Sequence, residues 1–484
     1  MANNKIAELE TEPVGKLLIK YALPAIAGMV VMSLYNIVDS VFIGQWVGEY
    51  ALSGLAVAFP VMNLTIAVGT LFGIGGAAIC SIRLGEKNYP GAQLAFGNVF
   101  SLGLIVGIPL ALLGAFFLEE ILLAFGASEQ TLPYAYSFML VILLGMPITN
   151  TFFNLNHIVR ASGAPNRSLA AMCLSVGVNV ALAPLFIKVF GWGIFGAAFA
   201  TITAQVVGLV FVLKYFFDGK GTLRFRRGIY YPRMKTVLPV ISIGSAPSIL
   251  NACGCFVVVV INYQLLKFGG DLAVGAHGIF TRVVTLIALF IVGLTQGMQP
   301  IVGYNHGACR YDRVQRALLL TLLAGTAVST AGVIACELFP HAIARAFTDE
   351  PTLIAYTVRA LRIAPAAFAL VGGQIVLNNF FQSIGRGKTA AVLSTTRQLL
   401  FFVPCVLIFP KFWGQYGVWV SFPVADLLAV VVTAVAFVVF LKNYARPKVV
   451  MKPKFERSDA EPAVAETDVV AGTPAPTDSA APRR

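Results

Sequence analysis

Asp39 lies inside an apolar stretch, Leu17 to Trp46, that is long enough to cross a bilayer. A charged side chain near the middle of a spanning helix costs at least about 3 kcal/mol on insertion scales, so a carboxylate there is a functional candidate by default. Nothing cationic lies near it in its own segment, and its neighbours Tyr35, Asn36 and Ser40 are polar. Burial without a cation favours the neutral form of a carboxyl group, which can then take up and release a proton, or hold Na⁺ through its oxygens. The plainer alternative is a carboxylate hydrogen-bonded to a neighbouring helix. We read Asp39 as the binding group for the coupling ion of a transporter.

Six other charges fall within apolar stretches: Arg282, Glu337, Arg359, Arg362, Arg397 and Asp426. Glu337, Arg359 and Arg362 lie within a few turns of segment ends, where long side chains reach the interface. Arg397 and Asp426 either form a structural ion pair or line a cavity, and His277 and Arg282 are candidates to face one. Several motifs carry no chemistry. Gly387, Lys388 and Thr389 spell the end of a phosphate-binding loop, but the required earlier glycine is Gln382 and no strand precedes it. The four histidines are widely separated and no Ser or Cys has a base at motif spacing, so an enzyme is not expected. The seven cysteines lack the spacing of a metal site or disulfide framework and read as small packing residues.

The elements that must position these groups are membrane helices. The chain has 484 residues, 58% hydrophobic and only 12% charged, and its mean hydropathy is +0.81. That balance belongs to a polytopic membrane protein. The net charge of +13 gathers in short connections between apolar runs, a topological pattern that argues against nucleic acid as a partner. The start of the chain does not read as a cleaved signal peptide. Apolar runs of about 20 residues or more predict spans near 17–46, 51–82, 92–118, 132–158, 167–188 and 193–217, then near 236–265, 273–304, 314–340, 352–382, 388–410 and 415–441.

Basic residues accumulate in alternate connections, from Arg83 and Lys87 through the run Lys214 to Lys235 to Arg386 and Lys388, which places both termini in the cytoplasm. Residues 1–16 form a cytoplasmic segment and 218–235 a basic linker. The tail, 442–484, is basic and then rich in Ala, Pro and Thr, a composition that predicts disorder. Shifting the first half by 222 residues superposes Ala51 on Ala273, Gly75 on Gly297, Gly85 on Gly307, Tyr89 on Tyr311 and Gly163 on Gly385. Six helices per repeat return the chain to the same side, so the repeats are parallel. The expected fold is all-α, twelve transmembrane helices in two parallel six-helix repeats, an N lobe at 17–217 and a C lobe at 236–441.

The stretch GLTQGMQPIVGYNHGACRYDR, Gly293 to Arg313, resembles the signature of the MATE (multidrug and toxic compound extrusion) family, nearer its MepA-like and DinF-like branch. LYNIVDSVFIG from Leu34, VRASGAPNRS from Val159, WGIFGAAFAT from Trp192 and FQSIGRGKTAAVLSTTRQ from Phe381 agree in order, and the resemblance covers roughly residues 15 to 442. It implies export of small amphipathic, often cationic drugs in exchange for H⁺ or Na⁺, with no other cofactor. It also implies a cation site in the first lobe at Asp39, Asn179 and Thr201. One position departs: Ala183 stands where many relatives have an aspartate. Without that carboxylate a Na⁺ site lacks a charge, which favours H⁺ on Asp39 and leaves weakly coupled transport open.

The leading expectation is therefore a cation-coupled multidrug efflux antiporter, a monomer in the cytoplasmic (inner) membrane. Its substrate would sit between the lobes near Tyr35, Asn36, Gln296, Met298, Gln299, Asn378 and Asn379, with His277 and Arg282 as further cavity candidates. A lipid-linked oligosaccharide flippase of the same superfamily, using Arg282 and Arg397 on a pyrophosphate, is the second reading. An uncoupled channel or membrane scaffold is the third.

Overall fold

The computed structural model describes residues 8–218, 221–226 and 228–444. The chain divides into a compact unit of residues 1–437, which contains every feature discussed below, and a second unit of 438–484. Of the second unit only the end of the last helix lies among the described residues, and the expectation of disorder in the tail falls outside them.

The first half contains α1 (Val14–Trp46), α2 (Glu49–Gly85), α3 (Tyr89–Phe116), a short α4 (Leu118–Ala124), α5 (Leu132–Ala161), α6 (Pro165–Pro184) and α7 (Gly193–Phe217). The second contains α8 (Met234–Gly307), α9 (Tyr311–Leu338), a short α10 (Pro340–Arg345), α11 (Pro351–Ile363), α12 (Phe368–Ser383), α13 (Gly387–Thr395), α14 (Val403–Trp413) and α15 (Gln415–Tyr444). Two π-helical pieces interrupt them, Leu185–Val189 after Pro184 and Thr396–Phe402 between α13 and α14.

Among the described residues ten continuous helical stretches are long and apolar enough to span a membrane, with α6 and its π-helical end counted as one and α13 to α14 as another, and α11 with α12 make an eleventh span bent by 60°. The bend holds Pro365, which has no N–H to donate and whose ring clashes with the preceding turn. Helix α8, with 74 residues, would be about 111 Å long at 1.5 Å per residue, against roughly 30 Å of hydrocarbon. It breaks at Gly270, whose φ of 69° and ψ of −171° are non-helical, and so supplies two spans. The protein is an all-α, multi-pass membrane protein with twelve spans, and their ends fall within a few residues of those expected from hydropathy. Large apolar side chains such as Phe116, Val210 and Phe412 face outward, 78%, 59% and 75% exposed, as a lipid-facing surface requires.

The repeat is written in the backbone. Gly48 and Gly270, Lys87 and Cys309, and Gly163 and Gly385 all have positive φ, each pair 222 residues apart. Each half has its own apolar core: one draws on residues from Ile43 to Ala200 and the other on residues from Val257 to Ala425. The halves meet where backbones touch. A methyl group on Gly85 would overlap the carbonyl oxygen of Tyr304, and one on Gly307 would overlap that of Ile82. These contacts exchange under the same 222-residue shift, so α2 and α8 cross on the axis relating the repeats. Gly75 likewise lies against Val240, Gly244 against Leu71, and Gly297 against Ala22.

Candidate functional site

Asp39 sits on α1, seven residues and therefore about 10 Å before its C-terminal end. It is 7% exposed, and its Oδ1 is buried with no hydrogen-bond partner among the described residues. Tyr35 precedes it by one turn and so shares its helix face. Tyr35 meets Thr201 Oγ1 of α7 at 2.8 Å, and Asn179 Nδ2 of α6 donates to the same oxygen at 3.2 Å. Thr201 donates its one hydroxyl proton to the Ala197 carbonyl at 3.1 Å. Its two lone pairs must then accept from Tyr35 and Asn179, which fixes Tyr35 as a donor. One hydroxyl thus ties three helices together beside the buried carboxylate.

A cavity of about 20 Å³ opens next to this node, lined by Met32, Tyr35, Phe152, Met172, Ser175, Asn179, Thr201 and Gln205 among others. That is room for about one water-sized species. Gln205 and Thr149, which sequence reasoning missed, are hydrogen-bonded to each other at its edge. Ala183, one turn beyond Asn179, is fully buried in the first apolar core with Ile43 and Ile187. The position marked for a second carboxylate is therefore a methyl group in apolar packing.

The expected substrate residues disperse. Met298 is fully buried, so it packs and does not line a cavity. Gln299 is 7% exposed and donates to the Ile74 carbonyl of α2 at 3.2 Å, which makes it part of the seam between halves. Gln296 is half-buried beside it, and Asn36 is exposed. Asn378 donates to Ser394 Oγ at 2.8 Å, and Asn379 donates to the Ile375 carbonyl of its own helix at 3.0 Å. His277 is buried, with its ring nitrogens 3.1 Å from Asn262 Oδ1 and 3.2 Å from Thr281 Oγ1, among the rings of Phe280, Trp419 and Phe422. It belongs to the second core. Arg282 is exposed one turn further on. Arg397 and Asp426 do form an ion pair: Nε and the NH2 nitrogen both lie 2.9 Å from Oδ1 of Asp426.

Helix α5 also carries a polar face. Asn150, Asn154 and His157 follow helical spacing, and Arg160 lies 2.6 Å from His157 Nδ1. Gly69 and Gly73 of α2 make room for Asn150 and Asn154, whose side-chain oxygens occupy the space a Cβ would take. The glycine pair thus packs against the two amides, and Gly73 also against the backbone of α5 at Asn154. The 150, 154, 157 spacing was the available signal.

Comparison with known proteins converges on one family. The MatE family matches residues 24–185 and again residues 247–407, two matches set apart by the repeat distance. Multidrug export protein MepA of Staphylococcus aureus (strain N315) is 26% identical over 430 residues, 88% of this chain and 94% of that one. The MATE multidrug transporter DinF-BH, solved as a complex, is 35% identical, with a TM-score of 0.83 over 90% of this chain and 96% of that chain. An outward-facing multidrug resistance MATE family transporter shares the fold, with a TM-score of 0.86 at 23% identity over 91% and 98% of the two chains. With both halves of the chain matched, this protein belongs to the MatE family.

Proposed function

We propose that the protein exports small amphipathic, cationic compounds across the cytoplasmic membrane as a monomer with both termini inside, in exchange for a cation. The N lobe at 17–217 and the C lobe at 236–441 would rock about the α2 and α8 crossing to expose the substrate alternately to each side. The related proteins named for multidrug export and multidrug transport support the substrate class. The observation that carries the coupling role is Asp39: a buried carboxylate with an unpartnered oxygen, beside three polar groups already committed to one another. Asn179 and Thr201 would position Tyr35 next to it and need not bind the ion directly.

H⁺ is the coupling ion this site suits better. Na⁺ takes several oxygen ligands, and Ala183 supplies a methyl group where a second carboxylate would stand. The basic linker and connections fit an inward-facing position for that end of the bundle. The flippase reading loses ground because Arg397, one of its two phosphate candidates, is neutralised by Asp426. Purified protein in liposomes with a cationic dye inside should release it when an inward proton gradient is imposed, with or without Na⁺. Dye release that requires Na⁺ and ignores the proton gradient would reject the H⁺ assignment, and conductance without any exchanged substrate would favour a channel.

A further inference from the structure

Two short segments, each leading into the first span of one half, cross to the other half at the basic end of the bundle. The first is residues 8–12, where the Leu9 carbonyl accepts from Asn305 Nδ2 at 3.0 Å and from Arg313 at 3.1 Å. Arg313 also donates to the Glu12 carbonyl at 2.5 Å and, through Nε, to Asn305 Oδ1 at 3.0 Å. The Leu9 side chain is 1% exposed. The second is residues 229–233, where Asn98 of α3 donates to the carbonyls of Ile229 at 3.1 Å and Tyr231 at 3.2 Å, and its Oδ1 accepts from the Arg233 backbone at 2.7 Å. Shifted by 222 residues, Leu9 falls on Tyr231. Both straps are held near the start of the third helix of the opposite half, α9 for the first and α3 for the second.

The chemistry suits a releasable fastening. Carbonyls at the end of a short helical turn have no partner within the turn, and a guanidinium fork can satisfy two at once with little loss of side-chain freedom. Parting the halves at this end would break the bonds from Asn305 and Arg313 to residues 9 and 12 and those between Asn98 and residues 229–233, and would expose Leu9. The glycine crossing of α2 and α8 brings backbones together and carries the single amide bond from Gln299 to the Ile74 carbonyl, without a guanidinium fork that grips two carbonyls at once.

We propose that the two straps form a clasp at the basic end that sets how often the lobes part there, with Arg313 and Asn98 as its closing residues. The proposal rests on the rocking of lobes described above. Its test is a pair of spin labels on Asn166→Cys and Lys388→Cys, exposed and equivalent positions in the two halves, in the full chain with its native cysteines replaced and the protein held in lipid nanodiscs. Arg313→Ala and Asn98→Ala should each raise the long-distance population by about tenfold, as loss of charge-assisted or multiple hydrogen bonds implies, with Arg313→Lys in between. Unchanged distance distributions in both alanine variants would overturn the clasp. Should the alanine variants fail to fold, a short bifunctional reagent joining Glu10→Cys to Tyr304→Cys, whose native side chains meet at 3.5 Å, gives the converse with Arg313 and Asn98 intact: the long-distance population should vanish, and its persistence would overturn the clasp. A shift that occurs while dye export is absent supports the clasp and counts against the proposed function alone.

Discussion

Thr201→Val is the sharpest probe of the three-helix node. Valine keeps the branched shape of threonine but removes the oxygen that Tyr35 and Asn179 share. Two buried donors then lose their acceptor, at about 1–3 kcal/mol each. The adjacent space of about 20 Å³ admits roughly one water, which can satisfy one donor. The expected net loss is therefore about 1–3 kcal/mol, not the full sum for two donors. Thr203→Val is the matched control, because Thr203 is half-buried and its exposed hydroxyl bonds the Phe199 carbonyl of its own helix at 2.8 Å. Thermal unfolding of the two variants in the same detergent, followed by loss of monodisperse protein, should place Thr201→Val clearly below wild type and Thr203→Val close to it. Equal melting of the two variants would refute the view that Thr201 ties α1, α6 and α7 together.

Other substitutions test other parts of the fold. Gly85→Val and Gly307→Val each force a side chain into a carbonyl of the opposite half, and both should lower expression of folded protein sharply, whereas Gly177→Ala, with open space around it, should not. Asp426→Asn leaves Arg397 unpaired and should cost about 1–3 kcal/mol, less than a fully buried pair because Arg397 is partly exposed; the double change Arg397→Met with Asp426→Leu should recover most of it, as read by detergent melting. His277→Leu should lower melting temperature through its lost bonds to Asn262 and Thr281 yet leave the pH profile of dye export in place; a displaced profile would return His277 to the transport site.

The spans were legible because an apolar run of bilayer length has few other uses, and the connections were legible because basic residues mark one side. The repeat could be read from a handful of glycines and a tyrosine, and several of those glycines prove to be where backbones turn or touch. What the sequence hid was direction around each helix. In a soluble helix the polar face points to water, but here lipid and protein interior are both apolar, so the 3.6-residue period does not separate them. The sequence therefore does not separate a cavity-lining Met298 or Gln299 from what the structure has, a fully packed Met298 and a Gln299 that stitches the halves together. His277, a cavity candidate by sequence, packs in this structure among the rings of the second core. The bend between α11 and α12 had a signal in Pro365, whereas nothing marked the grip of Arg313 on residues 9 and 12, which depends on a contact across some 300 positions of chain.

The central claim is that Asp39 couples cation entry to export. It is tested most directly by substrate-dependent proton flux in liposomes containing wild-type protein or Asp39→Asn, at matched protein density and over a range of pH. The account predicts that the wild type moves protons inward only when a cationic dye moves outward, and that Asp39→Asn binds the dye but loses the proton flux and the pH dependence of export. Wild-type proton-coupled export by Asp39→Asn would contradict it.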